Sequence, residues 1–228
     1  MTPHHLDALA AAHSLQAART RLTTLAAAEA RQNSDAALHA ADGLRSTTYG
    51  QRHATGGHSD PVSGLLTAER RPVRVTRWAD LLHRSSGKLD WLAGHLDHRS
   101  PEAAFGMDPI ARILAVVPKV QPGTAALIAR HLHDEDQWVR NAVGLDPDRR
   151  PLPGSPECPG CRQRRLELCT AGPETAWVVV CAARCLCGGA GCPCGMDGAV
   201  EGAPHIWPRA AVIGAVAGAA PTTTKTEE

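Results

Sequence analysis

Cys158-Pro-Gly-Cys161 … Trp177-Val-Val-Val-Cys181-Ala-Ala-Arg-Cys185-Leu-Cys187 … Cys192-Pro-Cys194 is the stretch that decides the reading of this chain. All eight cysteines lie between Cys158 and Cys194, and the first 157 residues contain none. Cys158-Pro-Gly-Cys161 is a tight C-x-x-C knuckle, in which two thiolates can grip one ion while backbone amides point at the sulfurs. Two β-rich runs follow, Arg164 to Thr170 and Ala176 to Cys181, separated by the breaker-rich turn Ala171-Gly-Pro-Glu-Thr175. They predict a hairpin that brings Cys181, Cys185 and Cys187 back to the first knuckle. Knuckle, hairpin, knuckle closes a tetrahedral four-thiolate zinc site with Zn–S of about 2.3 Å. An isolated hairpin is too small to be stable, so metal binding would supply the missing free energy.

The spacing assigns Cys158, Cys161, Cys181 and Cys185 to a first site, with Cys187 as the competing fourth ligand. Cys187, Cys192 and Cys194, with Cys185, are candidates for a second zinc, and a two-metal cluster with a shared thiolate is the other arrangement. The expected cofactor is therefore Zn2+, one ion or two. Iron–sulfur is disfavoured because the spacing follows neither ferredoxin pattern. Disulfides are disfavoured because the N-terminus, Met1-Thr2-Pro3-His4-His5, lacks the basic-then-apolar order of a secretory leader. Cys169 sits mid-strand between the knuckles and is expected to pack inward as a small apolar residue. His205, in Pro204-His-Ile-Trp-Pro208, is a spare ligand by position, although packing with Ile206 and Trp207 is the preferred reading.

Working outward, residues 146–157 carry four prolines and a glycine and read as a linker. Residues 1–45 form an Ala-rich helical segment, with Leu6, Leu9, Leu15, Leu22 and Leu25 spaced loosely from residue 5 to 32. A second piece is predicted from Ser34 to Leu44 after a break. Residues 46–74 have no periodicity and read as a flexible loop. Residues 75–145 read as a small bundle. Trp78, Leu81, Leu82, Leu89, Leu92 and Leu96 share one helical stripe that Gly87 would interrupt. Asp108-Pro109 opens a helix carrying Ile110, Ile113, Leu114 and Val117. A further helix starts near Pro122, and another is predicted from Asp134 to Val143, stopped by Gly144. Residues 158–212 are the Cys-rich domain and 213–228 a disordered tail.

Composition bounds the function. The chain has 228 residues and a formal net charge of +1, with 39 alanines and 21 arginines against 3 lysines. That balance excludes a globally basic, histone-like nucleic-acid binder. The longest apolar run, Ala210 to Ala220, is too short for a membrane span. Basic residues cluster at Arg162, Arg164 and Arg165 beside the first knuckle, and at Arg70, Arg71, Arg74, Arg77 and Arg84. Both are candidate phosphate contacts, with Arg70, Arg74, Arg77 and Arg84 on roughly one helical face. A solvated face is the plainer reading. The helices 108–117, 122–133 and 134–144 only loosely resemble helix-turn-helix order, and Asp134-Glu135-Asp136 would repel DNA where a recognition helix reads bases. No P-loop, dinucleotide fingerprint, nucleophile elbow or H-E-x-x-H occurs, so no enzyme and no small-molecule substrate are expected.

The Cys158-to-Cys194 run, with Thr175-Ala-Trp177 before the valines 178–180, Cys194-Gly-Met196 and His205-Ile-Trp-Pro-Arg209, resembles uncharacterised proteins of actinobacteria and their phages. Asp108-Pro109 and Pro122-Gly-Thr-Ala-Ala are similar to them too. The resemblance covers roughly residues 75–212 and implies no activity. More broadly, the cysteine hairpin resembles the zinc-ribbon class, whose ligands map onto Cys158, Cys161, Cys181 and Cys185. The extra C-x-C pairs depart from a plain ribbon and resemble a metallothionein-like thiolate cluster. The fold class expected is mostly α: an N-terminal helical region plus a small C-terminal zinc-ribbon-like β-hairpin domain. The expected function is a cytoplasmic, non-enzymatic zinc-binding accessory protein associated with DNA or RNA. The alternatives are a protein–protein adaptor or self-associating module with structural zinc, and a thiolate metal buffer or sensor.

Overall fold

The computed structural model describes residues 1–44, 76–96, 107–154, 156–183 and 185–212. The loop 46–74, the tail 213–228, and Arg70, Arg71, Arg74 and Arg184 lie outside the described residues. A mostly helical N-terminal region precedes a C-terminal four-stranded antiparallel sheet that bears the cysteines. Two compact units are distinguished: residues 1–19 with 85–228, and residues 20–84.

Helix α1 runs unbroken through Pro3–Leu44, so the break expected before Ser34 is absent. The Ser34 hydroxyl donates to the Ala30 carbonyl one turn back and leaves the helix intact. Thr2 starts the helix, its carbonyl accepting from the His5 amide at 3.0 Å. His5 plays the part that Glu plays in a capping box: Nδ1 accepts from the Thr2 amide at 3.1 Å, and Nε2 donates to the Val120 carbonyl at 2.9 Å. Ala8, Ala10, Ala11, Ala12, Leu15 and Ala18 are all buried in the first unit. Short side chains there let the helix backbone lie close to its neighbours.

Helix α2 spans Arg77–Leu96 without a break at Gly87. In the unit 20–84, the Glu29 carboxylate accepts from the amides of Trp78 and Ala79 and so caps α2. In the other unit, Leu89, Leu92 and Ala93 are its buried positions. Helix α3, Pro109–Val116, is capped as the sequence predicts: Asp108 accepts from the amides of Ile110 and Ala111, and Pro109 takes the first turn. A single 3-10 turn, Val117–Lys119, ends it.

Helix α4 is continuous over Pro122–Val143, where two helices are expected from sequence. The acids read as a new start are interior positions with partners. Glu135 is buried and pairs with Lys88 at 2.9 Å. Asp136 accepts from Arg140 at 2.9 Å and from the Ser14 hydroxyl at 2.7 Å. Gly144, with φ of 71°, closes the helix in the left-handed conformation.

Strands β1 (Arg149–Pro151), β2 (Leu166–Cys169), β3 (Val178–Cys181) and β4 (Ile206–Pro208) pair in that order, all antiparallel. The predicted hairpin is the β2–β3 pair, with Leu166 opposite Cys181 and Cys169 opposite Val178. β1 comes from within the proline-rich segment 146–157, and β4 carries Ile206 and Trp207. β3 lies between β2 and β4 and is buried along its length, as its Val-Val-Val-Cys run favours. Its core includes Ala10 and Leu152, with Leu6 against it. Gly172, in the β2–β3 turn, sits where any Cβ would overlap the His13 ring, so α1 packs directly on the hairpin. His133 of α4 completes the tie: Nε2 donates to buried Asp7 at 3.0 Å, while Nδ1 accepts from Arg149 at 3.1 Å.

Candidate metal centre

Two sets of four ligand atoms converge in the C-terminal sheet. One is Cys158, Cys161, Cys181 and Cys185; the other is Cys187, Cys192, Cys194 and His205. Within each set every ligand atom lies within 4.8 Å of the others. In the first set Sγ of Cys158 is 3.6 Å from Sγ of Cys185, and Cys161 is 3.6 Å from Cys181. A tetrahedron with bonds of 2.3 Å has edges of about 3.8 Å, so these separations fit a shared ion. They are far too long for a disulfide, and all eight cysteines are free. The chemistry of the donors, thiolate with one imidazole, suits a soft metal ion such as zinc.

Local backbone explains the first set. The Cys158 amide donates to the Gln163 carbonyl at 2.9 Å, and the Arg162 amide to the Cys158 carbonyl at 2.7 Å. Arg162 adopts a left-handed φ of 59° to close this knuckle, the one non-glycine residue with positive φ among those described. The Ala182 amide then donates to the Arg165 carbonyl at 2.7 Å. This tie, with the pairing of Leu166 and Cys181, sets Cys181 beside the knuckle.

The second set occupies the glycine-rich connection between β3 and β4. Cys187 is held by two backbone bonds, its amide to the Ala203 carbonyl and the Gly202 amide to its own carbonyl. Its Sγ lies 3.9 Å from that of Cys194. His205 immediately precedes β4, and its Nε2 lies 3.3 Å from Sγ of Cys192.

The thiols are held differently. Burial pushes Cys158 up, opposed by the amides of Cys161 and Gly160. Burial and the neighbouring thiols push Cys185 well up. The amide of Gln163 draws Cys161 down. The amides of Cys194 and Gly188, then His205, bring Cys192 down to about 6. Burial lifts Cys194 to about 11. Such a cluster favours thiolate at some sulfurs and crowds others, a conflict that a bound cation relieves.

The fold therefore joins all seven cysteines proposed as ligands and divides them between two sets, with Cys185 in the first and Cys187 in the second. No thiolate is shared between the sets. Cys169 belongs to neither. It is buried in β2, where burial raises its thiol to about 12. Comparison with protein-family models, with curated proteins and with solved structures returned no match.

His205 packs beside Trp207, ring centroids 5.8 Å apart, as the preferred reading has it, and is also the fourth member of the second set. Three cysteines of that set, with Cys185 already claimed by the first knuckle, were the available sequence signal. Of the basic candidates, Arg162 and Arg165 are exposed at the first knuckle, and Arg164 pairs with Glu157 at 3.1 Å. Arg77, in the other unit, lies 4.4 Å above the Trp78 ring. No described helix is long and apolar enough to cross a membrane.

Proposed function

We propose that the C-terminal region is a two-zinc structural module that gives a non-enzymatic adaptor a rigid surface for a protein partner or a second copy of the chain. The observation that carries this reading is that the ligand atoms fall into two sets of four. Four protein ligands complete a tetrahedral zinc, and a catalytic zinc keeps one position for water or substrate. Metal analysis of the purified chain tests it: two zinc ions per chain, retained through gel filtration, are expected. One ion, none, or rapid loss to a weak chelator would refute it, the last favouring a metal buffer. A partner or dimer seen by light scattering should be insensitive to salt.

A second reading, association with DNA or RNA, is favoured by the exposure of Arg162 and Arg165 beside the knuckle and of Arg150 on edge strand β1. Against it, a four-thiolate zinc carries about −2 and a three-thiolate one about −1, so the module's own field repels phosphate. Binding to a labelled oligonucleotide that steepens as salt falls, and weakens in Arg162→Glu/Arg165→Glu, would support it.

A further inference from the structure

Cys185 and Cys192 belong to different sets, and one imidazole lies between them. His205 Nδ1 is 3.0 Å from Sγ of Cys185, and its Nε2 is 3.3 Å from Sγ of Cys192. The His205 backbone is held by the first set as well. Its amide donates to the Cys185 carbonyl at 3.3 Å, and its carbonyl accepts from the Cys181 amide at 3.4 Å. Gly160, inside the first knuckle, closes over the ring: a Cβ there would overlap Cε1 and Nδ1. His205 is buried, so this arrangement has no solvent alternative.

An imidazole that ligates a metal through one nitrogen carries its proton on the other, and that N–H needs an acceptor. Here the acceptor is a sulfur that itself belongs to the neighbouring centre. We propose that His205 couples the two centres. It is a ligand of the second through Nε2 and a positioning residue of the first through Nδ1–H to the Cys185 thiolate. This rests on the two-zinc reading above. A metal at the second centre fixes the ring's orientation and tautomer and polarises the N–H toward Cys185. The hydrogen bond spreads the charge of the crowded four-thiolate set. Binding linkage is reciprocal, so filling either centre raises the affinity of the other by the same factor.

Zinc titration of the metal-free full-length chain, followed by native mass spectrometry, tests the coupling. With less than two equivalents, chains should be either metal-free or two-metal, and the one-metal form be scarce. Independent filling, with one-metal chains at their statistical share, would overturn the proposal. His205→Cys keeps four ligands at the second centre and removes the N–H. It should still take two metals, while one-metal chains accumulate and the first centre's affinity, from competition with a chromophoric chelator, falls about 10- to 100-fold. His205→Ala should hold one metal with the same loss, and the cobalt-substituted spectrum of a four-thiolate centre reports whether the first site still forms. Wild-type affinity at the first centre in either variant overturns the coupling. A wild-type chain that saturates at one metal overturns the two-zinc reading instead, so the two failures are distinct.

Discussion

Gly160→Ala separates the packing around His205 from ordinary loop behaviour, because the two make predictions of opposite sign. Gly160 is not in the left-handed region, so alanine meets no backbone penalty there. In a simple loop, the change would stabilise by about 0.4–1 kcal/mol by narrowing the unfolded ensemble. In this structure the added methyl overlaps the His205 ring at Cε1 and Nδ1. Restoring ordinary carbon contact of about 3.5 Å requires a shift of roughly an ångström. That shift must break the 3.0 Å contact to Cys185, the 3.3 Å approach to Cys192, or the knuckle itself. Loss of such an outer contact typically lowers metal affinity about 10- to 100-fold, or roughly 1.4–2.8 kcal/mol. The net expectation is destabilisation of the zinc-loaded protein by about 1–2 kcal/mol, after the entropic gain is set against it. Denaturant unfolding with zinc present, alongside chelator competition, measures both quantities. A variant as stable as wild type or more so, with unchanged zinc affinity, would refute the packing argument.

Chelation at neutral pH should abolish the β-sheet signal in circular dichroism while leaving much of the helical signal, since the sheet core contains the ligand cysteines. Cys169→Ala should leave zinc stoichiometry unchanged and cost about 1 kcal/mol, read by thermal unfolding; in the zinc-loaded wild type this thiol should resist alkylation. Asp136→Ala removes the nearest carboxylate from the buried Arg140 guanidinium, which keeps Asp148 at 3.5 Å and the Asp146 carbonyl, and should cost about 1.5–3 kcal/mol in denaturant unfolding. Burial alone would raise the Asp7 carboxyl, but the adjacent His133 ring, which donates to it, and then Arg149 outweigh it and hold it below its ordinary value. Its contribution is therefore present above pH about 4 and is lost as pH falls through the native value. Asp7→Asn should flatten that acid limb in a stability–pH series, and an unchanged limb would exclude this linkage.

The sequence made the metal chemistry legible because ligand spacing within a knuckle is local. Cys158 and Cys161 share one turn, and the valines Val178 to Val180 announce the strand that returns Cys181. Partition of the remaining cysteines was less legible, since it depends on how β4 pairs with β3, and β4 is only three residues long. That pairing delivers His205 to the second set. Helix ends marked by local chemistry, such as Asp108-Pro109 and Gly144, match the structure. Breaks inferred at Ser34, Gly87 and Asp134 do not. Each of those residues is tolerated inside a helix, Ser34 by bonding one turn back and the acids after Asp134 by pairing with Lys88, Ser14 and Arg140. Strand β1 could not be read from Arg149-Arg-Pro151, whose pairing with Cys169 and Leu168 comes from tertiary position alone.

The first turns of α1 share a core with strands made more than a hundred residues later, through Ala10, Asp7 and His13. On the ribosome that helix emerges long before its packing partners exist. Its inward face there is rich in alanine and polar side chains, with few large apolar ones, and so presents little sticky surface to a chaperone or to a neighbouring nascent chain during the wait.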